Sequence, residues 1–335
     1  MQKKKIIIIV SVLFILIIVF VFYLFIQPRK ESEKIVRPSL PKPSIPSEYG
    51  QPFSVKLNIS ERDFKFPATL PVITTSDTQP LTESQIVDIG KNFGFEESPT
   101  TANDIEEGKT YIWSNDQGSL LIYSKTRRIS YISTRSINTI NKQVENTALI
   151  DIAENFLTNK NLVSSDSINF SGLVFYRAQE FTESFSKTEK DSANIYQINF
   201  SIKATDYPII TTYPEYSPIN VRILTDGEIY SAEIVKISLS PSSEEYKIKN
   251  FQEFNNSLSE AKIISVAGGE INVSDVPKGE IENATFDSVQ LGYFFDTPKN
   301  QVYQPVFILK GSVVLKNTKS PLDATLYMPA LSEND

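Results

Sequence analysis

Residues 196–203 read Tyr-Gln-Ile-Asn-Phe-Ser-Ile-Lys. Apolar and polar side chains alternate without a break. Successive side chains of a strand point to opposite faces, so this stretch predicts a strand in an antiparallel sheet with one face buried and one wet. The period continues through Ile219, Val221 and Ile223, turns at Asp226-Gly227, and returns through Tyr230, Ala232 and Ile234. Asp-Gly suits the tight turn of a hairpin.

Working outward, a helix followed by strands is expected three times. The first helix starts at Thr82, where Gln85 completes a capping box; Ile86, Ile89 and Phe93 share one face and Gly94 is the stop. Strands are expected at 111–114, 119–123 and 129–133, the first two joined across Asn115-Asp116-Gln117-Gly118. The second helix covers 147–158, with Leu149, Ile152, Ala153, Phe156 and Leu157 at helical spacing. A third begins at Asn250, with Glu253 as its box partner, and ends before Gly268-Gly269; strands near 289–295, 303–310 and 313–315 come after it. Runs of strands with occasional helices predict an α+β fold of tandem modules, each a helix packed on an antiparallel sheet. Their expected extents are 53–140, 141–245 and 246–335.

The chain also resembles a known family. Residues 201–210 (Ser-Ile-Lys-Ala-Thr-Asp-Tyr-Pro-Ile-Ile), 219–223 with the Asp226-Gly227 hairpin, the helix at Phe251, and the closing segments 289–295 and 304–311 are similar to the extracytoplasmic domains of the YycH/YycI family. The resemblance covers roughly residues 194–315, with Phe307 where a tryptophan is expected. It implies PepSY-like modules and a non-catalytic role restraining a membrane sensor kinase; PepSY domains elsewhere restrain peptidases.

At the N-terminus Lys3-Lys4-Lys5 precedes residues 6–26, apolar throughout except for Ser11. At about 1.5 Å per residue such a run spans roughly 30 Å as a helix. No small-x-small cleavage site follows, so the expectation is an uncleaved single-pass transmembrane helix embedded in the lipid bilayer, with a cytoplasmic tail at 1–5. The C-terminal part would lie outside a bacterial cytoplasmic membrane, as an extracytoplasmic protein of the cell envelope. Residues 27–52 are proline-rich and predict a semi-rigid polyproline II spacer.

Composition narrows function mainly by exclusion. The chain has 33 Lys+Arg and 40 Asp+Glu, and since 7 and 2 of these lie in residues 1–37, the remainder carries a net charge of −12. Nucleic acid is therefore excluded as a partner on electrostatic grounds. With no His and no Cys, Ser-His-Asp triads, Cys-His nucleophiles and the usual zinc ligand sets cannot be built. No phosphate-cradling glycine motif occurs. Asp296-Thr297-Pro298 reads as a turn, and Asn115-Asp116-Gln117-Gly118 lacks the ligand series of a calcium loop. The expectation is thus no enzyme, no cofactor, and no catalytic, cofactor-binding or metal-ligating residue. In its place stands a regulator or scaffold that touches another membrane or envelope protein. The rival readings are a wall-polysaccharide binder using Trp113 and the abundant Tyr and Phe as stacking faces, and a glycosidase built on two carboxylates.

Overall fold

The computed structural model describes residues 40–46, 54–75, 77–137, 144–178, 185–211, 217–267, 280–296, 301–316 and 320–333. Three sheets dominate these residues. The largest has nine antiparallel strands built from two stretches of chain. The first stretch supplies β3 (Thr100–Asp104), β4 (Gly108–Asn115), β5 (Gly118–Tyr123) and β6 (Arg128–Ser133). The second supplies β7 (Ile168–Ala178), β8 (Phe185–Lys187), β9 (Ile195–Ile202), β11 (Ile219–Leu224) and β12 (Ile229–Val235). They meet where β6 pairs with β12, Arg128 opposite Val235 and Ile132 opposite Ser231.

Two helices cover one face of this sheet. Helix α1 (Glu83–Phe93) has the Thr82/Gln85 capping box, and Gly94 closes it in the left-handed conformation at φ 91°. Ile86, Ile89 and Phe93 are buried, and Gly90 lies so close to the Trp113 ring that a Cβ there would sit 2.9 Å from it. Helix α2 (Asn146–Asn159) lays Leu149, Ala153 and Leu157 over β9 and β11. The Phe93 ring stands 5.0 Å from that of Tyr131 and 5.9 Å from that of Phe156, so the two helices and β6 share one core.

The six-stranded sheet has the order β1 (Ser54–Leu57), β15 (Ile281–Phe294), β17 (Pro305–Leu315), β18 (Leu322–Pro329) and β14 (Lys262–Ala267). β1 runs parallel to residues 283–286 of β15, and the short β10 (Ile209–Ile210) runs parallel to Tyr293 and Phe294 on the same edge. Helix α3 (Phe251–Asn256), six residues long and capped by Asn250 and Glu253, seals an aromatic cluster of Phe64, Phe66, Phe254 and Phe307. A third sheet places β2 (Thr69–Thr75) between β13 (Leu239–Lys247) and β16 (Val302–Tyr303).

Three expectations are corrected. The fold is mainly β, not an α+β series of helix-on-sheet PepSY-like modules behind a transmembrane helix: strands make up 50% and helices 16%. The physical reason is strand pairing across the expected boundaries, since β6 continues into β12 and both β1 and β10 add to the C-terminal sheet. Second, β9 is buried on both faces, so the polar half of its alternation does not mark a wet surface. Third, no helix among the described residues is long and apolar enough to cross a membrane. Residues 6–26 and 1–5, Gly268-Gly269 and most of the spacer lie outside the described residues. The structure gives no support to a transmembrane, single-pass location in the cytoplasmic membrane, nor to a bilayer partner.

Candidate functional site

The face of the nine-stranded sheet opposite α1 and α2 divides into three zones. At the β7–β8 end, Val174, Tyr176, Ala178, Ile195 and Leu224 form a small second core with Phe185 and Tyr230 against it. In the middle, strand register aligns Asn199, Asn220, Glu233 and Ser130 in one row, with Gln197, Arg222, Ser231 and Ile132 in the next. Toward β3, Ile112 stands opposite Leu121, with Ile132 one strand further on β6.

The middle zone is a buried polar network. Arg222 Nε donates to Gln197 Oε1 at 2.9 Å, and Gln197 Nε2 donates to Asn199 Oδ1 at 2.9 Å. The Arg222 guanidinium also lies 4.9 Å from the centre of the Phe185 ring, a cation–π contact that ties the network to the apolar zone. Gln197 is fully buried, and a buried amide without such partners would cost several times what the bonds contribute. Ser130 Oγ donates to Glu233 Oε1. Arg128 stacks on Tyr123 at 4.2 Å, and its Nε is buried with no hydrogen-bond partner among the described residues.

Burial pushes the Glu233 carboxyl above its ordinary range; the Ser130 hydroxyl and the Arg128 and Arg222 charges only partly offset this. A carboxyl whose folded pKa exceeds its unfolded pKa binds its proton more tightly when folded. Stability should therefore fall as pH rises from the ordinary carboxylate value through the raised one. Glu233→Gln, which mimics the protonated form, is expected to raise the melting temperature at pH 7 and to change it little near pH 4. A loss at pH 7 would mean that the ion pairs outweigh burial.

The charges acting on Glu233 are those of Arg128 and Arg222, whereas glycoside hydrolysis needs a second carboxyl across from the first. Among the described residues no group of three or more Asp or Glu side chains could hold a metal ion. Trp113, the stacking face of the rival polysaccharide-binding reading, is 4% exposed, packs under α1 and donates its indole N–H to the Glu97 carbonyl at 2.8 Å. Large exposed apolar side chains among the described residues are Ile105, Ile132, Phe170 and Val302, which form no aromatic row.

Sequence reading had Gln197 and Asn199 as wet positions and passed over Arg128, Arg222 and Glu233. The available signal was their cross-strand pairing, visible only once register is known.

No protein-family model matches the chain, and no curated protein matches it. Among solved structures, an uncharacterized protein from Eubacterium rectale is similar at 13% identity and a TM-score of 0.40, over 78% of this chain and 82% of that one. A likeness that distant carries no argument about this protein.

Proposed function

We propose that this protein is a non-enzymatic binding protein that regulates or scaffolds another protein by direct contact through the β4–β6 part of the helix-free face of its nine-stranded sheet. The observation that carries the reading is the juxtaposition of Ile112, Leu121 and the 43%-exposed Ile132 beside the Arg128–Tyr123 stack, on the side of the sheet away from both helices. An apolar patch bordered by an arginine and a tyrosine has the composition of a protein contact, where Tyr and Arg are enriched. The YycH/YycI-like segments in residues 194–315 support the reading and make a sensor kinase or a peptidase the first partner classes to seek.

The test is Ile132→Asp in the full chain. At an exposed position the change should alter stability by no more than about 0.5 kcal/mol. It should nevertheless reduce the partner recovered after crosslinking in native cells, identified by mass spectrometry, at least tenfold. Unchanged recovery would remove this face from the contact. Turnover of a glycan by the purified protein would replace the reading with an enzymatic one.

A further inference from the structure

A cavity of about 450 Å³ opens at one end of the nine-stranded sheet, where the loop after α2 meets the ends of β9, β11, β12 and β13. Its charged lining is Asp77, Arg127, Lys203 and Lys236, three cations and one carboxylate in a chain whose overall charge is −7. Arg127 is already satisfied. Its Nη2 pairs with Asp77 at 3.2 Å, Nη1 donates to the Gln79 carbonyl at 3.0 Å, and Nε donates to the Lys236 carbonyl at 2.8 Å.

Lys236 is held differently. Its ammonium donates to two neutral acceptors, the carbonyls of Asn161 at 3.1 Å and Leu162 at 2.8 Å. Burial and the nearby Arg127 lower its pKa, with Asp77 the one carboxylate acting against them. Lys203 is exposed at the rim and forms no ion pair among the described residues. The cavity thus holds positive charge in excess of its single carboxylate.

A second observation points to the same place. Among the described residues, two that are not glycine have positive φ, Arg127 at 56° and Asn161 at 52°, and both line this cavity. Left-handed backbone is costly for an arginine, and such outliers collect at ligand clamps and active sites. The conformation lets Arg127 bond Asp77, Gln79 and the Lys236 carbonyl at once, which fixes the chain that carries the Lys236 ammonium. The remaining wall mixes the apolar side chains of Ile168, Ile202, Ile219 and Leu239 with Ser164, Ser167 and Ser238, and the volume falls in the range of small-molecule sites.

We propose that this cavity binds an organic carboxylate, with its anionic group between Lys236 and Lys203 and its apolar body against the isoleucine and leucine wall. The site is separate from the contact face and stands or falls without it. Such a carboxylate could belong to a free organic acid or to the C-terminus of a peptide. The probes are hexanoate and its neutral counterpart hexanamide, and a tripeptide ending in leucine with a free or an amidated C-terminus.

The full chain should be titrated by calorimetry and by melting temperature. The expected result is saturable binding of the free acids, at least tenfold tighter than the amides and weakened by added salt. Lys236→Met should weaken acid binding at least tenfold. Lys203→Gln, an exposed change that keeps the fold, should weaken it severalfold while leaving hexanamide unaffected. Tighter binding of the tripeptide than of hexanoate assigns the site to a peptide C-terminus, and the reverse order assigns it to a free acid. Equal binding of acids and amides, no binding of any probe at millimolar concentration, or acid binding insensitive to Lys203→Gln would each overturn the proposal. Partner recovery after Ile132→Asp reports on the contact face alone, so the two failures are distinguishable.

Discussion

Phe307→Ala is expected to destabilise the protein by about 3 to 5 kcal/mol, the range for deleting a buried aromatic ring from a core that closes imperfectly around the gap. Phe307 is fully buried on β17, with ring centres 5.4 Å from Phe64, 5.4 Å from Phe66 and 5.1 Å from Phe254. These neighbours come from two other parts of the chain, the segment between β1 and β2 and the helix α3, so the ring fastens both to the sheet. The loss combines the transfer free energy of the ring with the contacts that its three aromatic partners forfeit. Equilibrium urea unfolding measures it. A loss below about 1 kcal/mol would show that α3 and the preceding loop collapse into the space, and that the aromatic cluster is not what fastens them.

Phe93→Ala should cost about as much, roughly 3 to 5 kcal/mol, for a different structural reason. Phe93 is the last residue of α1 and touches Tyr131 of β6 and Phe156 of α2, so its ring joins the two stretches of chain that build the nine-stranded sheet. Unfolding followed by Trp113 fluorescence reports the first stretch, and far-ultraviolet circular dichroism reports the whole. If the sheet is one cooperative unit, the two transitions coincide in the parent and in the variant. Separation of the two curves in the parent would mean that the β6–β12 junction does not couple the halves. A loss below about half a kcal/mol would place the ring outside the core.

Particular residues show which parts of this fold were legible. The Thr82/Gln85 box, the Ile86, Ile89 and Phe93 stripe and the Gly94 stop all depend on residues within one helix, and each is found where local spacing puts it. The hairpin at Asp226-Gly227 is likewise local, with Gly227 at φ 88°. Alternation in residues 196–203 sorts side chains correctly onto two faces. It carries no information about what lies over each face, and Gln197 and Asn199 proved to be buried. The fold class failed for a related reason, because pairing between strands far apart in sequence leaves no periodic trace in either strand. The carboxylate site was the least legible. Thr126-Arg127-Arg128 contains no glycine or asparagine to announce a left-handed turn, and the conformation at Arg127 is held by partners 48, 50 and 109 positions away.

The parallel pairing of β1 with β15 has a consequence during synthesis. Residues 54–57 leave the ribosome early, yet their hydrogen-bonding partners at 283–286 are more than two hundred residues behind. At an elongation rate of about 5 to 20 residues per second, β1 waits on the order of 10 to 50 seconds for its place in the sheet. All nine strands of the larger sheet end by Val235, so its hydrogen-bonding ladder can close in that interval, before Tyr293, Phe295 and Tyr303 arrive to complete its core. Protease treatment of nascent chains arrested with residue 240 outside the ribosomal tunnel should therefore find residues 83–235 resistant and the segment around β1 cleaved. If both segments are equally sensitive, the sheet must wait for the C-terminal strands. If the predicted order holds, the early-made end of the chain is the last to be fastened down.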